Sequence, residues 1–337
     1  MPAKEPEKRT VAFSRNARNV FLHILTACNL KCAHCYINPE EHGRGRASLE
    51  EIKGWLKTLA HPDKPTNVVF LGGEPTMHPD LPAAVREAKR LGYASVTVDT
   101  NGYLFHDFLD KVTPADVDFI SFSLDGATPG TNDAQRGQGC FATVVGSIKK
   151  AVERGFSVSV IYTVTSRNIH ELPRMPKLLK GLGVSRFFIQ VIGIRGKAAE
   201  GEELQLSADE WRKKVAPVAE EAARLGMIAT YPKVFLAPGE SFECAGNVAE
   251  NLFVFPNGRV YSCPLCEDYP VHAAEISEAG LTERPGLTEK RFFSLNIPEG
   301  CVMNRLIQPG NIEYGPDGAP LYAIACCLLK EEVRPAG

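Results

Sequence analysis

The chain has 337 residues, a formal net charge of −2, and 44% hydrophobic against 23% charged residues. That is an ordinary globular composition with material for a large core, and the near-neutral balance argues against nucleic acid as a partner. MPAKEPEKRT at the start has no apolar signal region, and no run approaches the roughly 18 apolar residues of a membrane span, so a cytoplasmic protein without a membrane partner is expected.

In chain order, NVFLHIL (20–26) reads as a strand that runs into a cysteine-rich loop. SLEEIKGWLKTLA (48–60) reads as a helix opened by a capping box of Ser48 and Glu51. NVVFLG (67–72) is a second strand, 79–91 a helix, and SVTVD (95–99) a third strand. DFISFSL (118–124), FSVSVIYTVT (156–165) and SRFFIQVIG (185–193) add three more strands, with helices over 141–155 and near 171–181 between them. Strand and helix alternating six times predict parallel strands with right-handed helical crossovers. The expected fold class is therefore α/β, a partial (β/α)6 TIM-like barrel whose chemistry gathers beyond the C-terminal ends of the strands.

IRGKAAEGEELQL (194–206) reads as a linker. The stretch 207–226 reads as a helix capped by Ser207 and Glu210, with Trp211, Val215, Val218, Ala222 and Leu225 on one face and a kink expected at Pro217. From 227 onward Gly, Pro and Cys punctuate short strands such as 251–255 and 258–262. The expected organisation is an N-terminal extension (1–19), a core (20–200), a linker and helix (201–226) and a small cysteine-rich α+β domain (227–337).

Ten cysteines in a reducing compartment point to metal ligation or catalysis rather than disulfides. Cys28, Cys32 and Cys35 form C-x3-C-x2-C directly after the first strand. Three thiolates on one turn suit zinc or an iron–sulfur cluster, yet a closed zinc site and an ordinary cubane both take four protein ligands. His34 is badly placed to be the fourth, being adjacent to Cys35. LGGEP (71–75) follows the second strand; its glycines allow close backbone approach, and Glu74 places an acidic group where an ammonium would sit. Alone, such a turn better suits a solvated glutamate. Cys140, near a helix start, reads as packing.

Taken together, CNLKCAHCY after strand one, GGEP after strand two, TNG (100–102) after strand three and SLDG (123–126) with Arg136 after strand four resemble the radical S-adenosylmethionine (radical SAM) superfamily. The resemblance implies that Cys28, Cys32 and Cys35 hold a [4Fe–4S] cluster whose fourth iron takes the amino and carboxylate groups of S-adenosylmethionine. It implies cofactor contacts from Gly72, Gly73 and Glu74 to the amino group, and from Ser123 and Arg136 to ribose and carboxylate. His34, Gln190 and Ile194 are implied near the adenine, with Asn168 as a further cofactor candidate. A hydroxyl and a guanidinium suit ribose and carboxylate chemically. The implied activity is reductive cleavage of the cofactor to a 5′-deoxyadenosyl radical that abstracts a hydrogen atom from substrate, an oxidoreductase-like enzyme fed by a flavodoxin or ferredoxin. No catalytic side chain is assigned.

The six C-terminal cysteines begin with Cys244, then GRVYSC to Cys263 and CPLC to Cys266, a spacing similar to the opening of SPASM and twitch auxiliary-cluster domains. The C-x5-C-x3-C run of a full SPASM pattern is missing. Six thiols allow one fully ligated auxiliary [4Fe–4S] cluster, held by Cys244, Cys263, Cys266 and one of Cys301, Cys326 or Cys327. Zinc is the alternative occupant, because C-x2-C also suits zinc. Fewer than 20 residues precede the first strand, which tilts the expected substrate toward a small molecule, or a peptide presented by a separate partner. A ribosomal-peptide or protein maturase, and a non-catalytic iron–sulfur or zinc scaffold, are the other readings. Oligomeric state is not legible.

Overall fold

The structure, a computed structural model, describes residues 5–336 apart from 12, 14, 106, 201–203 and 238. Parts of the expected extension (1–19) and linker (194–206) therefore lie outside the described residues. Among the described residues thirteen strands follow in chain order: β1 (Glu7–Val11), β2 (Arg18–His23), β3 (Thr66–Leu71), β4 (Ser95–Thr100), β5 (Phe119–Ser123), β6 (Val158–Val164), β7 (Arg186–Val191), β8 (Ile228–Pro232), β9 (Glu250–Val254), β10 (Arg259–Tyr261), β11 (Ala274–Ser277), β12 (Gly280–Glu283) and β13 (Lys330–Arg334). They form one sheet in the order β1-β13-β8-β7-β6-β5-β4-β3-β2-β9-β10-β11-β12, which does not close on itself.

The six expected parallel strands, β2 to β7, lie side by side in sequence order. Two more join them in parallel, β9 beside β2 and β8 beside β7, so the parallel run holds eight. The segment from 227 onward thus extends the core sheet at both ends. β10, β11 and β12 continue antiparallel from β9, while β13 and then β1 continue antiparallel from β8.

Alternation along the strands separates two faces. In β3, Thr66, Val68 and Phe70 are buried while Asn67, Val69 and Leu71 are half-buried; in β4, Val96, Val98 and Thr100 are buried against half-buried Ser95, Thr97 and Asp99. The fully buried side packs under helices Leu49–Leu59, Leu81–Arg90, Cys140–Glu153, Met175–Gly181 and Ala208–Arg224 as one continuous apolar core. This is the layered arrangement that a parallel sheet with helical crossovers dictates. Both expected capping boxes form, at Ser48 with Glu51 and at Ser207 with Glu210. The helix Ala208–Arg224 runs continuously through Pro217. Arg136, expected ahead of a helix, ends a short helix of its own, Pro129–Arg136.

Candidate active site

The loop after β2 carries Cys28, Cys32 and Cys35 to the C-terminal ends of the parallel strands; all three thiols are free, Cys28 exposed and the others half-buried. The turn after β3 braces this loop. Gly73 N–H donates to the Leu25 carbonyl at 2.9 Å, and Glu74 N–H to the Ala27 carbonyl at 3.0 Å. A Cβ on Gly72 would stand 2.6 Å from the Leu25 oxygen, and one on Gly73 would collide with the carbonyls of Thr26 and Ala27. The two glycines are therefore required by close approach of two backbones.

Glu74 is buried, and its carboxylate is engaged by the chain itself. Oε1 accepts from Thr76 N–H at 3.0 Å, the Thr76 hydroxyl at 2.6 Å and the Thr100 hydroxyl at 2.7 Å; Oε2 accepts from Asn101 N–H at 2.7 Å. Burial raises its pKa, with these donors opposing. Glu74 so ties the GGEP turn to the TNG turn, and Asn101 passes the connection on: its Nδ2 donates to Asn29 Oδ1 at 2.9 Å and approaches Cys28 Sγ at 3.6 Å. Leu30 N–H also donates to Cys28 Sγ, at 3.4 Å. Burial pushes the Cys28 thiol up to about 11 and raises that of Cys32.

On the other side of the loop, Asp125 of SLDG is fully buried between two partners. Its Oδ2 lies 2.6 Å from Arg136 Nε and 3.2 Å from His34 Nε2. Asp125 Oδ1 accepts from Thr163 N–H at 2.7 Å. Arg136 Nη1 reaches Cys32 Sγ at 3.9 Å, and Ala33 N–H donates to the Gln135 carbonyl at 2.9 Å. Burial lowers the His34 pKa, Asp125 opposing and Arg136 adding to the shift. His34 and Arg136, separate in the sequence reading, thus share one carboxylate.

Asn168 is buried and fully used by the backbone: Oδ1 accepts from Thr165 N–H at 2.7 Å, and Nδ2 donates to the carbonyls of Thr163 and Asp125 at 2.8 and 3.1 Å. It fixes the end of β6 against SLDG. Ser123 and Gln190 are half-buried, at the ends of β5 and β7. Ile194 lies on the segment after β7, where Lys197 N–H donates to the Cys35 carbonyl at 2.9 Å. Arg195, which sequence reasoning passed over, stacks its guanidinium 4.7 Å from the ring centre of Tyr36 and pairs with Glu267 at 2.6 Å. It connects the residue after Cys35 to the residue after Cys266. Asp125 and Asn101 were also missed as anchors, although SLDG and TNG were the motifs that contained them.

The six C-terminal thiols converge. Cys244 senses Cys326 and Cys263; Cys301 senses Cys326, Cys263 and Cys244; Cys327 senses Cys326, Cys263 and Cys301; Cys263 lies against Cys266. Among the described residues no three His, Cys, Asp or Glu side chains are set as ligands of a single metal ion. Cys140 is fully buried in the core. None of the described helices is long and apolar enough to cross a membrane.

Fold and site together define an α/β protein with a three-thiol loop braced by a glycine turn at the C-terminal ends of its parallel strands. Residues 22–191, half of the chain, match the family model of the radical SAM superfamily, and the chain belongs to that superfamily. It is 29% identical over 227 residues to Fe-coproporphyrin III synthase of Methanosarcina barkeri, covering 66% of this chain and 56% of that one. It is 32% identical over 285 residues to a probable GTP 3′,8-cyclase of Saccharolobus islandicus, covering 80% and 90%. A second such cyclase, from Saccharolobus solfataricus, matches over 58% of its length, so the chain spans little more than half of several curated relatives. The fold resembles that of SuiB from Streptococcus suis, solved with its precursor peptide SuiA: TM-score 0.64 at 14% identity, covering 88% of this chain and 65% of that one. The same enzyme bound to S-adenosylmethionine gives a TM-score of 0.61 at 15% identity, over 74% and 60%.

Proposed function

We propose that the chain is a radical SAM enzyme that acts on a small molecule or a peptide. The observation that carries this is the three-thiol loop held by its glycine turn: sulfur donors, a missing fourth thiol, and N–H groups of Asn101, Leu30 and Arg136 directed at two of the sulfurs. Those donors suit thiolates rather than thiols, and thiolates are what an iron–sulfur cluster takes. When bound, a [4Fe–4S] cluster with S-adenosylmethionine supplies reductive cleavage of the sulfonium and hydrogen-atom abstraction.

The chain's own residues orient that chemistry. Because the Glu74 carboxylate already accepts four donors, the backbone of Gly72 and Gly73 is what this turn offers an ammonium. Ser123 at the end of β5 suits a ribose hydroxyl, and Arg136, fixed by Asp125, presents its remaining N–H groups beside Cys32 for a carboxylate. His34, Gln190 and Ile194 are assigned to the adenine side. Asn168 supports this wall through the backbone.

Residues 227–337 are read as an auxiliary-cluster unit of the SPASM or twitch kind. A cluster of several irons spreads its ligands wider than one ion does, so six gathered thiolates suit iron–sulfur better than zinc. Cys244, Cys263 and Cys266 are proposed as ligands. The fourth ligand is proposed to be Cys301, Cys326 or Cys327, and Cys326 interacts electrostatically with Cys244, Cys263 and Cys301. The names of the relatives favour a small molecule and those of the structural neighbours a peptide. An electron donor such as flavodoxin or ferredoxin would serve in a reducing cytoplasm.

The test is anaerobic reconstitution followed by dithionite and S-adenosylmethionine. 5′-Deoxyadenosine should form with wild type and disappear with Cys32→Ala. An intact cluster that yields none would leave the scaffold reading standing. About eight irons per chain support two clusters; about four with zinc would remove the auxiliary cluster.

A further inference from the structure

Among the described residues, two ionisable side chains on the face of the sheet away from the helices make no ion pair. Lys330 opens β13 opposite Pro232, the last residue of β8, and so stands at the same end of the parallel strands as the cysteine loop. Its Nζ lies 4.4 Å from the centre of the Phe188 ring, and among the described residues no carboxylate comes within ion-pair distance. Asp99, near the end of β4, points to the half-buried side with Ser121 beside it, and no cation pairs with it among the described residues. β4 and β13 are five places apart in the sheet, yet Asp99 and Lys330 act on each other electrostatically. A flat sheet would hold strands five places apart too far from each other for that, so the sheet curls and brings both groups to its concave side. Phe188, Gln190, Thr163 and Ser123 line the surface between them. Lys330 also interacts electrostatically with Cys327, and Asp99 with Glu74, so the pair reaches from the C-terminal cysteines toward the GGEP turn.

A desolvated ammonium without an anion is costly to keep unless something arrives to pair with it. We propose that Lys330 and Asp99 form a substrate subsite, in which Lys330 holds a carboxylate of the substrate and Asp99 meets an N–H or O–H next to it. Lys330 offers one positive charge, which matches a single carboxylate. A triphosphate would bring several charges against Asp99, so carboxylate is favoured over nucleotide. The Phe188 face beside the ammonium suits an apolar body carrying that carboxylate. The carboxylate has two sources, a propionate-bearing macrocycle or an acidic peptide side chain. The subsite rests on the proposed function for its meaning, and separate readouts keep the two apart.

Reconstituted wild type and Lys330→Met would be compared anaerobically by ultrafiltration with coproporphyrin III, its tetramethyl ester, a glutamate-containing hexapeptide, its glutamine counterpart, and GTP. Wild type should bind one of the acids over its ester or amide, the macrocycle or the peptide identifying the source. Lys330→Met should weaken that binding roughly 30-fold, and Lys330→Arg should retain it within a few-fold. Lys330→Gln provides the same comparison if the Met variant fails to hold iron. 5′-Deoxyadenosine formed without substrate should persist in every variant that holds iron; its absence from wild type defeats the enzyme reading instead. The subsite is overturned if no acid is preferred over its neutral form, if the Lys330 variants bind as wild type does, or if GTP binding alone depends on Lys330.

Discussion

The backbone N–H of Gly73 donates to the carbonyl of Leu25 at 2.9 Å, which locks the turn after β3 onto the loop that carries the cysteines. A side chain at Gly73 has no room, because the Thr26 and Ala27 carbonyls occupy its Cβ position. Gly73→Ala should therefore push the loop away and lose the first cluster while sparing the second. Iron should fall from about eight to about four per chain. Full iron in this variant would show that the loop is braced by other contacts.

Glu74 joins two turns through four accepted hydrogen bonds. Glu74→Gln sets an amide N–H against donors and should destabilise the fold by about 2 kcal/mol. Thr100→Val removes one donor and should cost about 1 kcal/mol. Denaturant unfolding of the metal-free protein gives both numbers, and the order of the two is the point to check.

Asp125 holds Arg136 and His34 together in a buried site. Asp125→Asn strands the guanidinium without a charge partner, a loss of about 3–5 kcal/mol. It should also weaken S-adenosylmethionine binding, read by equilibrium dialysis, since Gln135 and Arg136 both touch the cysteine loop. Unchanged cofactor affinity in a folded Asp125→Asn protein would remove Arg136 from the cofactor site.

Acid should destabilise the metal-free chain through two stacked histidines. His23 and His42 lie on opposite sides of Phe255, with ring centres 4.2 and 4.1 Å from it, and burial pushes both down to about 3. In the unfolded chain they titrate near 6.5. Between these values the unfolded state binds more protons, so their contribution is present above pH 6.5 and is lost as pH falls toward 3. The slope is up to about 1.4 kcal/mol per pH unit for each ring. His42→Gln should remove roughly one ring's share in urea titrations at pH 4.5, 5.5 and 6.5.

Cys326→Ser should release the auxiliary iron only, leaving 5′-deoxyadenosine formation in the absence of substrate. Cys140→Ala should leave both clusters at full iron, since that thiol is buried within the apolar core. Iron analysis with electron paramagnetic resonance separates the two clusters.

The alternation of apolar strands and amphipathic helices was enough to predict β2 to β7, because each strand and its helix are coded by local periodicity. The cysteine triplet and the GGEP turn were legible for the same reason: each is one short segment whose donors and glycines act where they stand. Partners set by distant segments were not legible. Nothing local marks β9 as the neighbour of β2, or Lys330 as a group facing Asp99. The glutamate read as an ammonium acceptor turned out to be engaged by Thr76, Thr100 and Asn101, and of these only Thr76 is near it in sequence.

The sequence by itself determined the donor chemistry, the three-thiol loop and the parallel α/β core, since these depend on residue type and short-range period. Only the tertiary structure decided that Asp125 serves both His34 and Arg136, and that Arg195 links the two cysteine segments. It also brought six scattered thiols together. Such relations arise when the sheet curls and later strands return beside the first and last of the core, and no pairwise spacing along the chain encodes that pairing.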